Sequence, residues 1–314
     1  MVDSKQQWKA WLYLAPAIAL LLVFTVWPIF NTVRMAFLEN YSGLANVGGA
    51  GFSFGFSNFI KVVQYKKFGT CLMNTLLLCF LTVPISTILA LLIAVGLNSI
   101  KPLQKVLQTI FFLPYVTNSI AIGMVFAAMF NMVGSAFGGE NEIIITAGII
   151  NNVIEFFGGK SINWINAGSS YIANITVMVI YIVWNALPFK ILVLLGGLQS
   201  INKQYYDAAK VDGTPRRRVF THITVPLLSP MLAYVIITGF IGGFKEYTSI
   251  VGIFGENMGP ADDAYRLNTM VGFIYRALSE NNQGRASAAA LILFGIILVV
   301  TMFNMWLSKK SVHY

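Results

Sequence analysis

The sequence predicts an all-α integral membrane protein built on six membrane-spanning helices, and three observations carry that reading. Hydrophobic residues make up 57% of the 314 and charged residues only 11%, where a soluble domain would carry roughly a quarter charged. Six apolar stretches recur, each long enough at about 20 residues to cross a ~30 Å hydrocarbon core. Lys and Arg gather in short segments between alternate stretches, the pattern that orients membrane proteins.

The stretches lie near 11–36, 71–98, 106–132, 170–196, 227–251 and 286–308, within a single transmembrane domain spanning 1–314. The first is preceded by Lys5 and Lys9, and its Ala15-Pro16-Ala17 resembles a cleavage site. That triplet stands at the start of an apolar run that continues to Phe37, so a retained helix is expected. The second holds Cys71 and Cys79 about two turns apart, too far to bridge within a helix, and both are expected to pack as small hydrophobes. The third contains Leu113-Pro114-Tyr115, then Asn118 and Ser119. The fourth offers Trp184, Asn185, Ala186 and Phe189, with Lys190 expected to snorkel to the headgroups from the inner end. In the fifth, Gly239 and Gly243 have the small-residue spacing that lets helices approach, Gly239 being expected to pack against a second subunit. Glu246 follows, an acid inside a span that calls for a partner. Lys245 beside it would point about 100° away around a helix.

Orientation follows from charge. With both termini inside, the inner segments hold Lys5, Lys9, Lys101, Lys105, Lys203, Lys210, Arg216–Arg218, Lys309 and Lys310. The outer loops at 38–70, 133–169 and 252–285 hold most acids, Glu140, Glu142, Glu155, Asp262 and Asp263 among them; Lys61, Lys66 and Lys67 run against the trend. Those loops are rich in Gly, Asn and Ser and are expected to cap the outer face with short helices, with an irregular segment over 43–57. The net charge of +9 is thereby explained by topology rather than by nucleic acid. His222 and His313 are isolated, so neither a metal cluster nor a catalytic triad is expected. A phosphate loop of the form G-x-x-x-x-G-K-[ST] is absent, and Glu246 is nearly alone where an ion-coupled carrier would need several buried carboxylates.

The basic segment Asn202–Pro226 is the most informative. Asn202 can cap a first helix, Gly213 can end it in a left-handed conformation, Thr214 can cap a second, and Pro215 can take that helix's first position. Ala208 and Ala209 offer a close-packing surface suited to docking in another protein's groove. Two alternatives stand beside docking: an interfacial helix whose Arg216–Arg218 meet anionic lipid, or a linker whose charges enforce topology.

This segment resembles the EAA loop of ABC-importer permeases, which reads E-A-A, three residues, G, nine residues, I-x-L-P. Asp207-Ala208-Ala209, Gly213 and Ile223-Thr224-Val225-Pro226 stand at those spacings, with Asp207 for Glu and Val225 for Leu. Likeness to the maltose and multiple-sugar branch extends along nearly the whole chain. It runs through Ala15-Pro16, Trp27-Pro28, Asn74-Thr75, Leu113-Pro114-Tyr115, Leu198 with Tyr206–Ala209, and Phe244-Lys245-Glu246-Tyr247.

The resemblance implies a type I importer core of six helices in a bacterial cytoplasmic membrane. It implies ATPase coupling through Asp207, Ala208, Ala209, Gly213, Ile223 and Pro226. It implies substrate contacts at Tyr115, Ser119, Asn185, Ala186, Phe189, Gly242, Gly243 and Glu246. The implied partners are a second homologous permease, a dimer of ATP-binding subunits, an extracytoplasmic solute-binding protein, a sugar and the bilayer. No cofactor is expected on this chain, ATP and Mg being held by the partner ATPase, and no enzymatic activity of its own. The alternative cargo is a glycerol phosphate or another polar solute, the alternative class an ion-coupled carrier.

Overall fold

The computed structural model describes residues 7–39, 41, 53–100, 104–138 and 142–311. Lys5, Lys101, Glu140, His313 and most of the expected irregular segment lie outside them. The chain forms two compact units, Met1–Phe68 with Phe273–Phe294, and Gly69–Gly272 with Gly295–Tyr314.

In the first unit, α1 (Gln7–Leu21), a π-helical turn (Leu22–Val26) and α2 (Trp27–Phe37) run on as one apolar helix. The turn widens just before Pro28. A proline has no N–H for the carbonyl four residues back, and its ring crowds that carbonyl, so the ladder loosens there. Beyond α2, α3 (Ser57–Val63) is pinned by buried Asn58, whose amide donates to the carbonyls of Ala36 at 3.1 Å and Leu38 at 2.8 Å. Arg285 lies over the rings of Tyr65 and Phe273 and pairs with Glu280.

The second unit is organised on two long helices, α4 (Phe68–Ser99) and α8 (Tyr171–Ser200). The expected continuous third span is instead broken into α5 (Gln104–Phe112), a 3-10 turn (Leu113–Val116) and α6 (Ser119–Phe130). Pro114 disfavours the α region for the residue before it. Asn118 starts α6 afresh, its side chain accepting from the backbone N–H of Ile120 at 2.9 Å. The following loop carries an antiparallel hairpin, β1 (Met132–Gly138) and β2 (Glu142–Ala147), before α7 (Ile149–Phe156). Short helices alone had been expected there.

After α8 come α9 (Lys203–Val211), α10 (Arg216–Val219), a second π-helical turn (Phe220–Thr224) and α11 (Val225–Gly243). This π turn again precedes a proline, Pro226. The fifth stretch is broken as well. It stops at Gly243, crosses Phe244–Tyr247 and resumes as α12 (Thr248–Phe254). Two consecutive glycines, each about 1 kcal/mol poorer than alanine in a helix, weaken the end of α11. The chain finishes through α13 (Met270–Ser279) and α14 (Gln283–Ser311). Among the described residues, five helices are long and apolar enough to cross a membrane; the broken third stretch contributes only the shorter apolar helix α6.

Two apolar clusters hold the second unit. One gathers Leu78, Phe130, Met178, Tyr181 and Ile250 from α4, α6, α8 and α12. The other gathers Ala90, Ala94, Leu194, Leu198, Leu228 and Val235 from α4, α8 and α11. The loop before α13 is tied down by polar bonds: Asn74 donates to the carbonyls of Arg266 and Asn268, and Arg266 donates to the carbonyl of Ser169. Cys71 and Cys79 are buried and not joined in a disulfide, in keeping with their spacing.

Candidate functional site

A cavity of about 310 Å³ lies between the two apolar clusters, at the middle of both long helices. On α4 the walls come from Thr82, Val83 and Ser86, and on α8 from Ile182, Asn185, Ala186, Phe189 and Lys190. The α8 set recurs at helical spacing, so one face of that helix is committed to the cavity. Opposite stand Thr238, Gly239, Gly242 and Gly243 of α11, with Glu246 at the helix break and Tyr115 from the 3-10 turn.

Both helix breaks therefore serve the cavity. The turn after α5 swings Tyr115 over Phe189, their rings stacked 5.9 Å apart at 19°. The break after α11 releases Glu246 from helical register. Its Oε1 accepts from the backbone N–H of Ser249 at 3.2 Å, and its carbonyl accepts from the Thr269 hydroxyl at 2.8 Å. Lys245 is exposed and does not line the cavity.

Tyr115, Asn185, Ala186, Phe189, Gly242, Gly243 and Glu246 are thus brought to one place. Ser119 is not with them; its carbonyl accepts from the Tyr181 hydroxyl at 2.6 Å and ties α6 to α8. Trp184 packs against Phe126 instead, 5.1 Å between centroids.

Lys190 does not snorkel to the headgroups as its place in the fourth stretch suggests. Ten residues separate it from Ser200, about 15 Å at 1.5 Å per residue, and a lysine cannot snorkel that far. Only 4% of it is exposed. Its Nζ donates to Ser86 Oγ at 2.7 Å, Thr87 Oγ1 at 2.9 Å and the Val83 carbonyl at 3.2 Å. Thr82, Ser86 and Thr238 were missed as well. The available signal was the i, i+4 spacing of Thr82 and Ser86, opposite a lysine deep inside an apolar run.

Gly239 and Gly243 pack against helices of this chain, whereas a second subunit was the expected neighbour of Gly239. A Cβ on Gly243 would stand 2.9 Å from Cys79 Sγ, and one on Gly239 would stand 3.1 Å from Val83 Cγ1 and 3.2 Å from Lys190 Nζ. Their missing side chains let α11 lie on α4 and leave room for the lysine. Gly242 has nothing within 4 Å of its Cβ position and opens onto the cavity.

The second feature is the segment between α8 and α11. Asn202 caps α9 by accepting from the Gln204 N–H at 3.0 Å, and Gly213 follows with φ +65°. Pro215 holds the capping position of α10 with extended backbone (ψ 146°), so neither Thr214 as cap nor Pro215 as first helical residue is observed. The alanines part company: Ala209 is buried, whereas Ala208 is exposed together with Asp207 and Val211. Tyr206 reaches Thr224 Oγ1 at 3.3 Å and ties α9 to the base of α11, where Ile223 and Pro226 are half-buried. The Asp207–Lys210 pair, 3.7 Å apart, is exposed on both sides and adds little stability.

Known proteins resemble this chain along most of its length. The arabinooligosaccharides transport system permease protein AraP of Bacillus subtilis is 29% identical over 300 residues, 95% of this chain and 88% of that one. The lactose transport system permease protein LacF of Rhizobium radiobacter is 28% identical over 297 residues, 94% and 91% of the two chains. The multiple sugar-binding transport system permease protein MsmF of Streptococcus mutans is 28% identical over 305 residues, covering 96% and 95%. A chain of a bacterial ABC transporter involved in import of the acidic polysaccharide alginate shares the fold, with TM-score 0.76 at 22% identity over 98% of this chain and 97% of that one. Residues 83–313, from the cavity-lining half of α4 onward, match the family model described as binding-protein-dependent transport system inner membrane component, and the chain belongs to that family of multi-pass membrane proteins.

Proposed function

We propose that this chain is one permease subunit of an ATP-driven importer and that its cavity forms part of the path of an oligosaccharide. The observation that supports this most is the mid-helix cavity itself, in which the stacked pair Tyr115–Phe189 faces Asn185 and Glu246. A pyranose presents an apolar face to an aromatic ring and hydroxyls to amide and carboxylate groups. The relatives named for arabinooligosaccharides and lactose point to the same cargo.

In this reading Tyr115, Asn185, Ala186, Phe189, Gly242, Gly243 and Glu246 contact the sugar. Ser119 supports the site through Tyr181. The chain acts as one permease domain with both termini cytoplasmic. It works with a second permease, a solute-binding protein and an ATP-binding dimer that holds ATP and Mg. The exposed face of α9 with Asp207 and Ala208, and Gly213, Ile223 and Pro226 behind it, carries ATPase closure to the helices. Uptake of an arabinooligosaccharide by proteoliposomes containing the whole importer is expected to require the phosphate-loop lysine of the ATP-binding subunit. Uptake that persists without that lysine would overturn the ATP-driven reading.

Gly213→Asp tests the coupling segment. A Cβ at Gly213 meets nothing within 4 Å in this chain, so the cost to the fold is the left-handed backbone alone, about 1–2 kcal/mol at most. The variant is expected to insert and fold yet lose copurification with the ATP-binding subunit at least ten-fold. Undiminished copurification would remove this loop from the interface.

A further inference from the structure

The cavity's polar groups have a pronounced bias in what they offer. Thr82, Ser86 and Thr238 each line it, and each spends its single O–H on a helix carbonyl: Leu78 at 2.7 Å, Thr82 at 2.6 Å and Tyr234 at 2.7 Å. A hydroxyl whose proton is committed faces a ligand as an acceptor. Lys190 has three ammonium protons, and Ser86, Thr87 and Val83 take them. Glu246 is acceptor-only when ionised. Asn185 and Tyr115 can donate as well as accept, and the remaining polar groups leave the wall rich in lone pairs although it carries a cation.

The charges tell the same story. The cavity lining holds one ammonium and one carboxylate, and the ion pairs among the described residues do not join them. An anionic ligand would bring a second negative charge beside Glu246 in a low-dielectric setting, and would find no uncommitted proton on Lys190. A cationic ligand would meet the ammonium, whose charge is solvated by hydroxyl and carbonyl oxygens but not neutralised. A ligand with many hydroxyls and no charge suits both conditions, since each hydroxyl can donate to the wall.

Building on the translocation-path reading above, we infer that this cavity selects uncharged polyhydroxylated solutes and rejects carboxylated sugars and phosphate esters, with Lys190 and Glu246 as the specificity-determining pair. Lys190 acts here as a fixed charge rather than a hydrogen-bond donor to cargo.

The test uses the assembled transmembrane and ATP-binding complex in lipid nanodiscs, without the solute-binding protein, whose own selectivity would mask the cavity's. Equilibrium binding is measured for two matched pairs, galactobiose against digalacturonate and glycerol against glycerol 3-phosphate. The neutral member is expected to bind at least ten-fold more tightly in any pair that binds. Glu246→Gln, which removes the charge and supplies an amide donor, is expected to shrink that gap at least ten-fold with an unchanged thermal midpoint. An anion binding as well as its neutral partner, a gap indifferent to Glu246→Gln, or no binding of any probe would overturn the inference. Binding confined to the glycerol pair, with the gap present there, would sink the sugar reading while leaving this one standing; digalacturonate binding as tightly as galactobiose would do the reverse.

Discussion

Gly123→Ala is expected to lower the thermal midpoint of the purified protein by roughly 5–10 °C, a large effect for one methyl group. A Cβ at Gly123 would stand 2.7 Å from Gly252 Cα and 2.9 Å from Gly252 C. Those neighbours are backbone, so no rotamer change relieves the clash and α6 and α12 must move apart. Overpacking costs typically 1–3 kcal/mol, and a backbone obstacle puts this case near about 3 kcal/mol. The consequence reaches the cavity, because α12 begins directly after the break that places Glu246. Sugar-stimulated ATPase activity of the assembled importer is expected to fall along with stability. Gly196→Ala is the control: nothing lies within 4 Å of its Cβ position on α8, and alanine is the better helix former. A midpoint for Gly123→Ala within 1–2 °C of that control would mean that the helices do not meet here.

Lys190→Glu is expected to be more damaging still, and Lys190→Met much less so. Methionine removes the ammonium, but every donor around it keeps a partner: Ser86 still bonds the Thr82 carbonyl at 2.6 Å, and Thr87 still bonds the Val83 carbonyl at 2.7 Å. Three hydrogen bonds to a charge are lost, at about 1.5–3 kcal/mol each in isolation, but so is the cost of burying it, which is several kcal/mol. Near-cancellation is expected, with folded yield within about two-fold. Glutamate instead brings a second carboxylate into the cavity that already holds Glu246. It turns acceptor oxygens toward hydroxyls whose protons are committed. An uncompensated buried charge costs about 3–5 kcal/mol, enough to reduce the folded, membrane-inserted yield more than ten-fold. Quantitative blotting of detergent-soluble, monodisperse protein separates the two variants. Equal yields would show that the ammonium is not the buried, fully bonded group described above.

Composition and hydropathy were sufficient for the membrane, because twenty apolar residues have few other places to go. The positions of Tyr115, Asn185, Phe189 and Glu246 on one cavity were legible through the family resemblance and helical spacing. The left-handed turn at Gly213 was legible from local chemistry alone. Lys190 was not, because a snorkelling rule applied without counting residues to the helix end gives the opposite answer. The glycine pair 239 and 243 was readable as a close-packing motif, but it suggested a second subunit beside Gly239, where Val83 of α4 and Lys190 of α8 stand instead. Gly123 and Gly252 lie far apart in sequence without a shared motif, so their contact left no local trace.

What the sequence determined by itself, then, is what depends on neighbours along the chain: apolar length, caps, turns, and the spacing of the Asp207–Pro226 segment. What only the tertiary structure decided is where the third and fifth stretches break to aim Tyr115 and Glu246 inward, and which hydroxyls absorb the protons of Lys190. Hydrogen-bond commitments between helices a hundred residues apart depend on how those helices pack, and that is not written in any local window.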